Sequence, residues 1–346
     1  MTTIDVTVEG RSTREVLAWS HSSVEPGLRA AVGTLSSSML RIAGYHFGWW
    51  NEHGHPERAS GGKAIRPTLV LLSAYAVGGV PAAGVPAAVA VELVHNFSLL
   101  QDDVMDGDLT RRHRPTAWSV FGLNAAILAG DALLTLAFDV LAASGHLAVT
   151  EGTRMLSAAV QDLVEGQCAD LAFEHRAQVE LAECLRMAEG KTGALMGCAC
   201  GLGALFGGGS PERVQYLRGF GQHLGLAFQH VDDLLGIWGD PAVTGKPVYS
   251  DLRSRKKSLP VVAALASGTP AGRELAEFFH RDQPLSGVEL VRAAELIDAA
   301  GGRAWSQSQV VELLARAMRD LRSANPTARA AGELGAFARL ATHRDR

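Results

Sequence analysis

The chain has 346 residues, 47% of them apolar and 20% charged, with a formal net charge of −4. So much apolar residue can bury a large core, and the absence of a general basic field excludes nucleic acid as a partner. Its 38 glycines exceed the roughly 7% average of proteins and, with abundant alanine, imply closely approaching helices.

The N-terminus, MTTIDVTVEGRSTREV, has no basic start with an apolar run behind it and is not a signal peptide. Residues 1–24 are expected to be loosely ordered. From Pro26 the pattern is helical to Trp50, ending at the polar loop NEHGHPERASGGK. Further helices are predicted over 66–77, 84–106, 117–143, 150–175, 178–205, 211–238, 259–267, 286–300 and 303–323, with a helical Ala/Arg-rich tail after Ser323. Gly/Pro/Ser punctuation such as GGVPAAGVP, GGGSP and ASGTPAG separates them. No strand-length alternation and no repeat of solenoid period occurs. Length alone would allow two domains, but no linker argues for a cut. The expectation is an all-α fold, a single domain over 25–346.

Two uncharged runs, Thr68 to Val91 and Thr192 to Pro211, approach the length of a membrane span. Glycines and prolines break the first, and glycine dominates the second, so buried helices fit better than a span. The four cysteines, Cys168, Cys184, Cys198 and Cys200, match neither a disulfide framework nor a zinc spacing. They are expected to be reduced and packed as small apolar residues, which implies a cytoplasmic location.

The chemistry concentrates at two helix ends. Asp102, Asp103 and Asp106 close the segment HNFSLLQDDVMD, and a helix puts Asp106 on one face with both of the others. Three carboxylates so close repel unless something neutralises them. Mg2+ would, since it takes oxygen ligands and shares its shell with substrate phosphates. Arg111 and Arg112 follow, and guanidinium forks match phosphate oxygens. One such cluster reads equally well as a solvated, salt-bridged turn. A second, Asp232, Asp233 and Asp240 in FQHVDDLLGIWGD, again ends an apolar helix, and two acidic helix ends facing across a cavity would box a metal and a diphosphate.

Several motifs in order, GGKAIRP (61–67), HNFSLLQDDVMD (95–106), RRHRPT (111–116), KTG (191–193), FQHVDD (228–233) and GDPAVTGKP through KKSLP (239–260), make the chain resemble the trans-isoprenyl (polyprenyl) diphosphate synthases, and in detail actinobacterial geranylgeranyl-type members. The resemblance covers roughly residues 25 to 325 and implies a helical bundle around a central cavity, usually as a homodimer. It implies head-to-tail condensation of isopentenyl diphosphate with an allylic diphosphate. Asp102, Asp103 and Asp106 would hold Mg2+ on one side of the allylic diphosphate, and Asp232 and Asp233 on the other. Arg111, Lys191 and Lys246 would bind that diphosphate, with Lys256 closing the site. Gly62, Lys63, Arg66, His95 and Arg112 would bind isopentenyl diphosphate, and Thr192 and Gln229 would sit with Lys191 near the reacting carbons. Taken singly, Lys63 and Arg66 would read as solvated, His95 as a satisfied core histidine and Lys191 as a snorkelling lysine. Among Arg253, Arg255, Lys256 and Lys257, only Lys256 is expected to leave the solvated face.

Ionising an allylic diphosphate leaves an anion and a carbocation. Fixed cations stabilise the first, and an aliphatic pocket shields the second from water. The departing diphosphate can take the final proton, which explains why no nucleophile–base constellation stands out. The sequence departs from the family at Gly236, where many members carry a third aspartate, and at Tyr249, where glycine is typical. In the family, residues just before the first aspartate line the floor of the chain-length pocket. Here Phe97 beside Ser98, with no insertion in DDVMD, resembles geranylgeranyl synthases; farnesyl synthases are the nearer alternative. A class I terpene cyclase needs no isopentenyl site, and a non-catalytic synthase subunit typically loses motif residues, so both rank lower.

Overall fold

The computed structural model describes residues 10–57, 62–241, 247–281 and 283–342. Lys246 lies outside them. Apart from one hairpin with two-residue strands, Thr110–Arg111 and Arg114–Pro115, the regular structure of these residues is helical. The all-α expectation is met.

The chain forms two compact units. The first comprises Met1–Ala158, Cys198–Arg218 and Asp320–Phe337, and the second Ala159–Gly197, Gly219–Arg319 and Ala338–Arg346. In the first, α1 (Thr13–Val32), α2 (Ser37–His46) and α3 (Ile65–Ala76) precede α4 (Val85–Met105). Short α5 (Ala117–Phe121) and long α6 (Leu123–Ala142) follow the hairpin. Helix α4 is the centre of this unit, packed on by α1, α3, α5 and α6. It is apolar around nearly its whole circumference, as a helix enclosed by others must be, with Ala87 to Val94 continuously buried.

The loosely ordered start is corrected over its described part. Helix α1 begins at Thr13, where Ser12 and Glu15 form a reciprocal capping box. Arg11 anchors the entry, its backbone N–H and guanidinium donating three bonds of 2.7–3.0 Å to the Glu333 carboxylate. Pro26, expected to open a helix, sits inside α1. One lost backbone bond is outweighed by the cap and by burial of Val16, Val24 and Leu28. The expected 26–50 helix is therefore two, α1 and α2. The expected 117–143 helix breaks at Gly122, whose φ of 91° favours glycine.

The second unit takes most of α7 (Val149–Glu174), then α8 (Leu181–Ala188), a π-turn over Glu189–Gly193 and the first residues of α9 (Ala194–Phe206). It continues with the greater part of α10 (Pro211–Trp238) and with α11 (Ser250–Arg253), α12 (Leu259–Leu265), α13 (Pro270–Phe279), α14 (Gly287–Ala299) and α15 (Gly302–Ser323). The tail is helix α16 (Ala328–Thr342). Ile237, Leu252, Val261, Leu275 and Ile297 form one core cluster, and Phe173, Cys184, Met187, Leu226 and Val262 another.

Among the described residues, two helices are long and apolar enough to cross a membrane by length and composition. The one ending in the first acidic motif, Pro81–Met105, has 78% of its apolar window buried inside the protein, and α6 has 39%. All four cysteines are free, and burial raises Cys198 and Cys200 to about 12.

Candidate active site

The first acidic cluster closes α4. Asp103 is 1% exposed, Asp102 half-buried, and Asp106 is the exposed C-cap, its N–H donating to the Asp102 carbonyl at 2.8 Å. Along α4 the half-buried residues His95, Ser98, Gln101 and Asp102 make one stripe at helical spacing between buried neighbours. Arg111 Nε donates to Asp103 Oδ1 at 2.6 Å. Asp103 Oδ2 is buried with no hydrogen-bond partner. Burial lifts the Asp103 carboxyl to about 6 against the pull of Arg111, with Asp108 and Asp102 adding to the rise. The negative end of the helix dipole adds to the demand for a cation. An orphaned carboxylate oxygen in a C-terminal acidic cluster fits Mg2+. No group of three His, Cys, Asp or Glu among the described residues could hold an ion unaided, so phosphate oxygens would have to complete the shell.

Arg112 stands at the tip of the two-residue hairpin turn, with φ of 52° there and 63° at His113. Both signs match a type I′ turn, which glycine and asparagine occupy more easily, so the tip holds strain. Tyr45 Oη donating to the Pro115 carbonyl at 2.9 Å and Thr116 Oγ1 donating to the Asp108 carbonyl at 2.8 Å fasten its base. The Arg112 guanidinium lies against Gly62: a Cβ there would come within 2.6 Å of Nη2. Arg66 Nη1 donates to His95 Nε2 at 3.3 Å, since arginine cannot accept. Burial first, then Arg66, Arg112 and Arg111, hold His95 well below its ordinary range, and burial and the same hairpin arginines take His46 to about 3. Both imidazoles are neutral, and the positive charge belongs to the guanidiniums. Gly62, Arg66, His95 and Arg112 are thus brought together, and Lys63 next to Gly62 is exposed.

The second cluster is a relay within the second unit. Thr192 Oγ1 donates to Gln229 Oε1 at 2.5 Å, Gln229 Nε2 donates to Asp233 Oδ1 at 2.8 Å, and the Leu259 N–H donates to Asp233 Oδ2 at 2.9 Å. Asp233 is 3% exposed, and burial lifts it to about 7 despite Lys256, with Asp251 adding to the rise. Asp232, one residue earlier, is half-buried, and Asp240 is exposed. Lys191 and Thr192 ride on the π-turn, an irregularity that often marks a functional site. Two glycines bring this turn onto α7. A Cβ at Gly166 would lie 2.3 Å from the Lys191 nitrogen, and one at Gly190 would lie 2.6 Å from the Asp162 carbonyl oxygen. Lys191 Nζ then pairs with Asp170 Oδ2 at 2.6 Å. Burial raises Asp170, but Lys191 and Lys256 outweigh it and leave the carboxyl below its usual range.

Asp170 and Asp251 escaped the sequence reading. Asp170 could have been found from its spacing, three and four residues after the buried Gln167 and Gly166 on an otherwise packed face. Asp251 explains Gly236: a Cβ on Gly236 would lie 2.3 Å from Asp251 Oδ2, so a carboxylate from α11 fills the space of the missing third aspartate. Tyr249 adopts the left-handed conformation, φ 63°, that the typical glycine would take freely. The basic run is corrected at Lys257, which is 8% exposed with Nζ donating to the Phe173 carbonyl at 2.7 Å. Arg255 donates to the Arg281 and Gln283 carbonyls. Neither side chain is a free solvated charge.

The Polyprenyl synthetase family profile matches residues 50–295. The chain belongs to that family. It is 50% identical over 302 residues to a (2E,6E)-farnesyl diphosphate synthase of Mycobacterium tuberculosis, covering 86% of this chain and 84% of that protein. A geranylgeranyl diphosphate synthase of the same organism is 45% identical over 290 residues, covering 84% and 83%. The crystal structure of a polyprenyl synthetase from Streptomyces coelicolor A3(2) superposes with a TM-score of 0.91 at 46% identity, covering 95% of this chain and 99% of that one. This polyprenyl synthetase is a short-chain prenyltransferase.

Proposed function

We propose that this polyprenyl synthetase condenses isopentenyl diphosphate head-to-tail with allylic diphosphates, depends on Mg2+, and ends at geranylgeranyl diphosphate. The product rests on one observation. Phe97, five residues before Asp102, is 8% exposed, and its ring packs where a Cβ on Gly130 of α6 would lie 3.5 Å away, with small Ser98 beside it. A single aromatic backed by a helix makes a floor that stops elongation later than two would.

Bound Mg2+ would stabilise the diphosphate charge as the allylic carbon–oxygen bond breaks. Asp102, Asp103 and Asp106, and separately Asp232 and Asp233, would hold it. Arg111, Lys191, Lys246 and Lys256 would bind the allylic diphosphate. Gly62, Lys63, Arg66, His95 and Arg112 would bind isopentenyl diphosphate, His95 as a neutral group fixed by Arg66. Thr192 and Gln229 would border the reacting carbons, with the hydroxyl and amide oriented by the relay to Asp233.

A farnesyl end product is the second reading, favoured by the 50% identity to a farnesyl diphosphate synthase. We also infer a cytoplasmic homodimer in which a second copy covers the open face of α6, where Leu123 and Leu128 are 48% and 57% exposed.

The test is a product assay with purified protein, Mg2+, labelled isopentenyl diphosphate and dimethylallyl, geranyl or farnesyl diphosphate. Geranylgeraniol after dephosphorylation is the expected end product, and farnesol would move the assignment to the second reading. Cyclic hydrocarbon without isoprene incorporation would indicate a cyclase, and no product from folded protein would indicate a non-catalytic subunit.

A further inference from the structure

The hairpin that presents Arg112 cannot hold itself. Each of its strands is two residues long, and an isolated hairpin is marginal at best even with longer strands. Its register sets Arg111 opposite Arg114, two like charges across the strands, and its tip carries two left-handed non-glycine residues, Arg112 and His113. The structure around the hairpin must supply what the ladder lacks. Arg111 is taken up by Asp103. Arg114 goes elsewhere.

Arg114 Nη1 donates to the Tyr45 carbonyl at 3.1 Å, and Nη2 donates to the Trp50 carbonyl and to Glu57 Oε2, both at 3.1 Å. Its guanidinium also lies over the Tyr45 ring, 4.5 Å from the centroid. Glu57 is half exposed, so its share is screened by water. The two carbonyls and the ring are the firmer contacts. They belong to α2 and the loop after it, and that loop is itself pinned. Trp50 Nε1 donates to the Arg41 carbonyl at 2.9 Å, and the Trp50 ring covers Gly44, where a Cβ would come within 1.9 Å of it. The Glu57 N–H donates to the Trp49 carbonyl at 3.0 Å. Several acceptors at fixed positions take one planar fork, a geometry that lysine cannot reproduce. Further along the same connection stands Gly62, where a Cβ would lie 2.6 Å from the Arg112 guanidinium. The α2–α3 connection and the hairpin therefore meet twice, at Gly62 against Arg112 and through Arg114.

We propose that Arg114 is a positioning residue for isopentenyl diphosphate: without touching substrate, it brackets the hairpin to the α2–α3 connection and so sets Arg112 against Gly62, Lys63 and Arg66. This rests on the reading that those four residues bind isopentenyl diphosphate.

Steady-state kinetics of full-length Arg114→Gln tests it. The KM for isopentenyl diphosphate is expected to rise about tenfold, the scale of losing hydrogen bonds from a charged donor. The KM for the allylic diphosphate and kcat are expected to change by less than about twofold. A lower thermal transition with the isopentenyl KM unchanged would make Arg114 a structural residue only and overturns the proposal. So does an equal rise in both KM values. The effect must also run through Arg112. In an Arg112→Gln background, Arg114→Gln is expected to add less than about twofold, and a full tenfold rise there overturns the proposal. Arg112→Gln alone with an unchanged isopentenyl KM would overturn the assignment of that site, and the bracket with it. That failure shows in the single Arg112 variant, whereas failure of the bracket alone leaves its effect in place. Should Arg114→Gln fail to fold, Arg114→Lys, which keeps the charge and loses the fork, decides. A rise of about threefold in the isopentenyl KM is then expected, and an unchanged KM overturns the proposal.

Discussion

Asp103 and Asp233 are both withdrawn from water, yet they are satisfied differently. Both oxygens of Asp233 accept bonds from the protein, whereas Asp103 keeps one buried oxygen unpartnered. Asp103→Asn is therefore expected to lower kcat/KM about 100-fold or more in a Mg2+-supported steady-state assay, the scale of losing a fixed charge at a developing anion. Phe97→Ala should shift products to longer chains. If chromatography of the alcohols shows unchanged lengths, the floor lies elsewhere. Gly236→Asp would restore the family's third aspartate in sequence, but Asp251 already occupies that space. The added carboxylate should destabilise the protein by about 1–3 kcal/mol in urea unfolding. The neutral state of His95 makes a further expectation. Any inflection near pH 6.5 in the affinity for isopentenyl diphosphate should belong to the diphosphate's own last ionisation and persist in His95→Gln, because burial and three arginines keep the ring unprotonated well below the ordinary imidazole pKa of about 6.5.

At the scale of elements, two features hold side chains in place through local geometry. The hairpin presents Arg112 by keeping both turn residues left-handed, and His113 is exposed, with φ 63°. His113→Gly should raise stability by about 1 kcal/mol, the usual relief of a left-handed non-glycine residue, measurable as a higher urea midpoint. The entry to α1 depends on Glu333, whose side chain is 1% exposed and bridges Arg11 and Arg329. Burial pushes Glu333 up, but the bonds from Arg11 and Arg329 outweigh it, so its folded-state pKa lies below the ordinary carboxylate value. A depressed carboxyl contributes stability that is full above the unfolded pKa, about 4.3, and is lost as pH falls through the folded value. Glu333→Gln should thus cost about 1–2 kcal/mol near neutrality, a gap between the unfolding curves that closes as pH drops below that of a free glutamate.

For the whole molecule, an open apolar face on α6 predicts association. Leu128→Glu should convert a dimer to monomer in light scattering, and an unchanged mass would remove α6 from the interface. The helical class, most helix positions and the acidic ends of α4 and α10 were legible in the sequence, because apolar periodicity and run-ending aspartates are local signals. The partners of those residues were not legible. Lys191 meets Asp170 across 21 residues, and Arg11 meets Glu333 across 322. Asp251 was hidden because its relevance comes from the space beside Gly236 and not from any spacing in the chain. Chain order assigns the chemical groups and the helices that carry them. Which carboxylates are buried, which cations face them and which oxygen is left over come from the folded arrangement, because burial and charge pairing depend on distances that chain order does not contain.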